Sequence, residues 1–273
     1  MAGPAAAGAL SENGVGQATI ARIRDYWLGG SQHTEADRRA GDHILLCAPH
    51  LAYVLRTQQA LVDRMVRHLA GAGIRQFLDL GSRLPTAGNV HEVARECAPE
   101  SRVLYVDHDP EVARDGARLL AEDERAGFLL ADPLDPVQVL GSSALRGLLD
   151  LGEPTAVLMT NLLQHVPDSA DPAGLVGRYA GAVSAGSYVG ISHFGEDEQL
   201  VTGLEMFNRM FGTPPPVTLR EPDQLRPFFA GLDLVEPGIV PLPLWRPAEV
   251  APDDRNPEEF RVYVGLGYKR LPG

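Results

Sequence analysis

The chain has 273 residues, 44% of them hydrophobic, which suffices to bury one substantial core. Its 36 acidic against 24 basic side chains give a net charge of -12, which repels phosphate backbones and anionic membrane surfaces and argues against nucleic acid or membrane as partner. No apolar run reaches membrane-spanning length and the start lacks the charged region of a signal peptide, so a cytoplasmic protein is expected.

Residues 1–18 are small and without periodicity, and are expected to be a disordered tail. Residues 19–72 read as an N-terminal helical cap. Ile20, Ile23, Tyr26 and Trp27 share one helical face that Gly29-Gly30 ends, and helices over 36–47 and 51–69 follow, split by Pro49. Tyr26, Gly30 and Ser31 stand where a cap closes over a pocket, because glycine lets backbone approach a ligand. The same aromatic pair equally serves to fix the cap to what lies beneath it.

Residues 73–273 read as an α/β domain. Phe77-Leu78-Asp79-Leu80 and Val103-Leu104-Tyr105-Val106 are short apolar runs closed by Gly81 and Asp107, with Val90, Val93, Ala94 and Cys97 at helical spacing between them. This β-α-β unit puts the loop of Gly81, Ser82 and Arg83 on the same sheet edge as Asp107 and His108. A helix over 111–121 follows, then a strand over 127–131 ending at Asp132-Pro133 and a strand over 154–160 running into Asn161. A helix over 175–183 leads to a strand over 187–192 and His193. The tail reads as helices over 196–211 and 221–230 and two alternating strands, 232–240 and 261–269, paired antiparallel at the sheet edge. The expected fold is a doubly wound, Rossmann-like, mainly parallel seven-stranded sheet with an antiparallel last strand and an N-terminal helical extension. Cys47 and Cys97 fall in helical patterns without a partner set, so buried free thiols are expected and no metal site.

An S-adenosylmethionine site needs close backbone approach at the first turn, an acid after the second strand for the ribose, and an acid or amide after the third for the adenine. Asp79-Leu80-Gly81, Asp107 and Asp132 supply these in order, although a strand-ending acid such as Asp132 also serves as a helix cap. The loop lacks the GxGxxG glycines that a nicotinamide cofactor requires. The candidate cofactor-binding residues are therefore Tyr26, Gly30, Ser31, Asp79, Gly81, Ser82, Arg83, Asp107, His108, Asp132, Pro133 and Asn161. Methyl transfer is an in-line displacement and needs a base only when the acceptor loses a proton. His165, His193 and Tyr26 are the catalytic candidates, with His33 beside them, and each histidine has a structural role as its alternative. Tyr26, Trp27, Phe194, Phe207 and Phe211 are candidate walls for an acceptor, the last two being equally placed for a core.

These segments resemble class I S-adenosylmethionine-dependent methyltransferases, and more narrowly an actinobacterial S-adenosyl methyltransferase family once catalogued as a domain of unknown function. The resemblance rests on ARIRDYWLGG (21–30), EADR (35–38), FLDLGSRLPTAGNVHEVA (77–94), VLYVDHDP (103–110), HVPD (165–168), GSYVGISH (186–193), PVTLR (216–220) and LVEPGIV (234–240). It implies methylation of a small, aromatic or heterocyclic acceptor in secondary metabolism, since some relatives methylate carbon, including indole C3 of tryptophan-derived cyclic dipeptides. O- or N-methylation, or cofactor binding without catalysis, are the alternatives, and a homodimer is admissible. Two positions depart from the family pattern: Arg83 replaces its usual glycine, and Gln164 stands where its histidine does.

Overall fold

Five apolar runs build the parallel part of the sheet in the computed structural model, which describes residues 18, 20–47, 51–82, 89–198, 201–202, 205, 209, 217–247 and 260–271. They are β1 (Gln76–Leu80), β2 (Arg102–Asp107), β3 (Ala126–Leu130), β4 (Thr155–Thr160) and β5 (Tyr188–Phe194). Successive side chains point to opposite faces. Leu78, Leu80, Leu104, Val106, Val157 and Met159 enter one core, while Phe77, Val103, Tyr105, Ala156 and Leu158 enter the other. Burial on both faces is why β1, β2, β4 and β5 read as continuous apolar runs, while β3, at the sheet edge, is only partly covered.

Helices α1 (Ile20–Trp27), α2 (Glu35–Cys47) and α3 (Leu51–Gly71) precede the sheet. On the Phe77 face lie α3, α4 (Val90–Cys97) and α5 (Pro110–Leu119). On the other face lie α6 (Pro136–Leu140), α7 (Ser143–Leu148) and α8 (Pro172–Ala182). The sequence pattern does not announce α6 and α7, of 5 and 6 residues, because each is shorter than two turns; Asp135 and Ser142 cap them.

The strand order is β3-β2-β1-β4-β5-β8-β6, with β6 (Asp233–Leu234) and β7 (Val240–Pro241) both antiparallel to β8 (Val262–Tyr268). Among the described residues the sheet thus has 8 strands rather than the expected seven. The single strand expected over 232–240 is two short pieces. Pro237 has no N–H to give a ladder, and the turn closed by Gly238 N–H on the Val235 carbonyl (2.9 Å) interrupts the pairing. β8 also pairs with β5 along seven residues, Phe194 opposite Val262 through Tyr188 opposite Tyr268.

The expected boundary at 72/73 cuts through a shared core, because Leu61, Met65, Val66 and Leu69 of α3 pack with Phe77 and Tyr105. The cap's own core is Ile23, Trp27, Ile44, Ala52 and Leu55, with Tyr26 and Phe194 against it. Cys97 is exposed at the end of α4 rather than buried, beyond the stripe of Val90, Val93 and Ala94. Residues 1–17 of the expected tail, Arg83, Phe207, Phe211 and most of the helix expected over 196–211 lie outside the described residues. Among the described residues no helix is long and apolar enough to cross a membrane.

Candidate functional site

In an open α/β sheet the strand order reverses at one point, and loops diverge there to leave a crevice at the carboxyl edge. Here the reversal falls between β1 and β4, which pair in parallel. A cleft lies there, lined from the sheet by Asp79, Gly81, Ser82, Tyr105, Thr160 and Asn161. The cap supplies the opposite wall with Arg24, Asp25 and Leu28 from α1 and its exit and Gln58, Gln59 and Val62 from α3. Of the residues expected from sequence at a cofactor site, Asp79, Gly81, Ser82 and Asn161 line this cleft.

Gly81 has φ 75, a left-handed conformation that L side chains rarely adopt, and its N–H donates to the Val106 carbonyl (2.8 Å). The first turn therefore folds back over β2 instead of running on. Asn161, at φ 59, also turns left-handed, and the Gln164 side-chain amide donates to its carbonyl (2.7 Å). Asn161 Oδ1 accepts from Gln58 Nε2 (2.7 Å) and Ser192 Oγ (3.3 Å), which ties cap, β4 and β5 together at the cleft. Gln164, where the family pattern has histidine, is thus a buried brace for Asn161.

Asp107 is buried at the end of β2, one strand over, and its Oδ1 accepts from the Asp109 N–H (2.9 Å). His108 beside it is largely exposed, its Nδ1 3.5 Å from that oxygen. Asp132 ends in solvent after β3, its Oδ1 closing a turn by accepting from Leu134 N–H (2.9 Å), whereas the helix cap is Asp135. The Pro133 carbonyl accepts from the Tyr179 hydroxyl (2.8 Å) and is part of the packing of α8.

The expected catalytic trio does not assemble on the cleft among the described residues. The Tyr26 hydroxyl donates to Asp42 Oδ1 (2.9 Å) on α2, a hydrogen bond that raises its pKa and so works against a role as base. His193 is fully buried, with both ring nitrogens engaged. Arg220 Nη1, which can only donate, lies 2.8 Å from His193 Nε2, so that nitrogen is the acceptor and Nδ1 carries the proton donated to the Phe194 carbonyl (2.8 Å). Burial, reinforced by the Arg220 charge, pushes the His193 pKa down to about 4. His193 is therefore a neutral structural histidine. His165, half-buried in the turn Leu163–His165, is the one whose charge also bears on His193.

A depressed histidine pKa links stability to pH with a definite sign. The unfolded chain takes up a proton below about pH 6.5 that folded His193 refuses until about pH 4, so stability is lost as pH falls through that window. Between pH 7 and pH 5 this one group should cost about 2 kcal/mol. Denaturant unfolding at both pH values checks it: His193→Gln should show a fall smaller by about that amount, and an equal fall would assign the acid sensitivity to other groups.

Arg220 is the residue that sequence reading misses most. Only 2% exposed, it donates to the carbonyls of Leu163 (3.1 Å) and Val166 (2.7 Å), to His193, and from Nε (3.0 Å) and Nη2 (2.7 Å) to Asp168 Oδ1. It pins the loop after β4 to β5. Gln58 carried a usable signal, because it falls in the stripe of Val54, Leu55, Leu61 and Met65 and is a polar side chain on an apolar face. Asp25 had none. Its Oδ2 accepts from Gln32 N–H (2.7 Å) and His33 Nδ1 (3.0 Å), so it organises the exit of α1. Gly30 serves that carboxylate, since a Cβ there would stand 2.0 Å from Asp25 Oδ1. Ser31, next in the loop, is exposed.

The sequence matches the model of a family described as S-adenosyl methyltransferase over residues 10–270. Among solved structures, a duf574 family protein from Streptomyces avermitilis is similar at 37% identity over 93% of this chain and 98% of that one, with a TM-score of 0.82. A Thermobifida fusca protein with a provisional methyltransferase assignment is similar at 36% identity over 93% and 96%, also with a TM-score of 0.82. The plantazolicin methyltransferase BpumL, solved with a triazolic desmethylPZN analog and SAH, is 10% identical over 92% and 96% with a TM-score of 0.51, a likeness of fold alone. No curated protein matches the sequence.

Proposed function

The chain belongs to the S-adenosyl methyltransferase family, whose cofactor is S-adenosyl-L-methionine, and from that premise we propose that it methylates a small-molecule acceptor held at the carboxyl edge of β1 and β4. The observation that carries the placement is the cleft at the strand-order reversal, walled by the sheet on one side and by α1 and α3 on the other.

The residues suit the cofactor. Gly81 brings a left-handed turn of backbone to the cleft wall, its missing Cβ leaving place for Leu162, and Asp107 is a carboxylate on the same edge able to accept from two ribose hydroxyls. Buried side-chain oxygens at Asp25 and Gln58, both on the cleft, have no hydrogen-bond partner among the described residues. When bound, S-adenosylmethionine supplies a methyl group on a sulfonium, already electrophilic. The protein's share is to orient the acceptor and exclude water, which the cap over the sheet edge is built to do. Where the acceptor must lose a proton, His165 and His33 are the histidines left to test, because both nitrogens of His193 are spent. Tyr26, Trp27 and Phe194 pack in and against the cap's core, so the acceptor class rests on the family resemblance and on the net charge of -12, which disfavours nucleic acid.

Calorimetric titration with S-adenosylmethionine and S-adenosylhomocysteine tests the first step, and absence of binding by either up to millimolar concentration would sink the proposal. Mass-spectrometric product analysis over indoles, including tryptophan-derived cyclic dipeptides, phenols and amines tests the second. Asp107→Ala should weaken cofactor binding by about 1–3 kcal/mol, the scale of a hydrogen bond to a charged group. Unchanged affinity would remove Asp107 from the ribose.

A further inference from the structure

A buried carboxylate oxygen without a donor is costly, and proteins keep such an atom where a ligand supplies the donor. Asp25 is 1% exposed and lines the cleft; Oδ2 is bonded within its own loop, while Oδ1 has no partner among the described residues. Gln58, 4% exposed on the same cleft, gives its Nε2 to Asn161 and leaves Oε1 without one. With the two amides assigned so that Gln58 Nε2 donates to Asn161 Oδ1, Oε1 is the end of Gln58 left over. Asp79, at the end of β1, adds a second carboxylate to the lining, and Arg24, one residue before Asp25, adds a cation.

Two unsatisfied acceptors and a second carboxylate around one space call for a compact group with several N–H donors and positive charge. A primary ammonium has three donors and no acceptor. A neighbouring guanidinium suits a carboxylate attached to the same carbon. That combination is an α-amino acid in its zwitterionic form, and resting on the reading that this chain binds S-adenosylmethionine, we infer that Asp25, with Gln58, receives the α-ammonium of the cofactor's methionine end. The helical cap is then part of the cofactor site. The two acceptors come from α1 and α3, so one ammonium meets both helices. Neither residue stands in the strand-turn segment 77–82 that supplies part of the sheet side of the cleft.

The test is calorimetric affinity, independent of turnover, for three ligands: S-adenosylhomocysteine, its analogue with hydrogen in place of the amino group, and 5′-methylthioadenosine, which lacks the whole amino-acid end. Asp25→Asn keeps an oxygen for Gln32 and His33 but removes the charge, and should weaken S-adenosylhomocysteine by about 10- to 100-fold while leaving the other two within about threefold. Gln58→Met, which leaves the α1 exit loop intact, should show the same selectivity at smaller size, and decides alone if Asp25→Asn does not fold. Parallel loss of all three ligands, or loss of none, overturns the inference. So does unchanged S-adenosylhomocysteine affinity with lost turnover of an amine acceptor, which would put the ammonium on the acceptor. If the wild-type protein binds none of the three, the cofactor reading itself fails; binding without selectivity fails only the assignment of Asp25 and Gln58.

Discussion

Arg220→Met should destabilise the fold by about 3–5 kcal/mol, the cost of taking one partner from a buried charged network. The side chain is 2% exposed and every nitrogen is used. Its loss leaves the Val166 carbonyl and His193 Nε2 buried without donors, each worth about 1–3 kcal/mol before relaxation, while the Leu163 carbonyl keeps the Val166 N–H (3.1 Å). It also removes a guanidinium lying 5.4 Å from the centre of the Phe228 ring. Asp168 contributes little to this figure, because its side chain is 78% exposed and water replaces the arginine. Denaturant unfolding of Arg220→Met beside Asp168→Asn separates the two: a large loss in the first and under about 1 kcal/mol in the second is expected, and equal losses would make the surface ion pair the working part. Because the pinned loop begins at Asn161 on the cleft, cofactor affinity should fall with Arg220→Met even where the protein remains folded.

Trp245→Ala should cost about 3–5 kcal/mol, the range for emptying an aromatic site in a core. Trp245 is 0% exposed, packs edge-on to His68 of α3 at 5.9 Å, and belongs to the same cluster as Phe77 and Tyr105. Arg64, also on α3, donates to the carbonyls of Trp245 and Leu242 (both 3.0 Å), so the indole and the backbone around it are held as one piece. The variant should therefore unfold at lower denaturant and loosen α3, the helix that brings Gln58 to the cleft. Trp245→Phe, which keeps a ring in place, should recover more than half of the loss; failure to recover any would show that the indole's shape, and not its volume, is what α3 needs.

The parallel strands were legible because strands covered on both faces must be apolar along their length, and Leu78 to Val106 obey that rule. Gly81 and Asp107 were legible for a related reason, since a strand's end and its turn chemistry are written in adjacent residues. Arg220 and Asp25 were not. Arg220 bonds a histidine 27 positions away and carbonyls 54 and 57 positions away, and no local pattern marks a cation destined for a core. His193 read as a base because a histidine after a strand at the ligand edge is the right residue in the right place; only its neighbours reveal that both nitrogens are occupied. The strand over 232–240 was over-read because alternation extends through Pro237, whose missing N–H breaks the ladder without disturbing the pattern.

The position of β8 sets an order of events during synthesis. Strands β6 and β7 emerge from the ribosome before β8, yet β8 is the partner that each pairs with, and β5 offers β8 an open edge along seven residues until then. An unpaired strand edge is a template for wrong pairing with another nascent chain. The three strands beyond β5 can pair only after residues 262–268 have cleared the exit tunnel, so the exposure to misassembly is concentrated before that point.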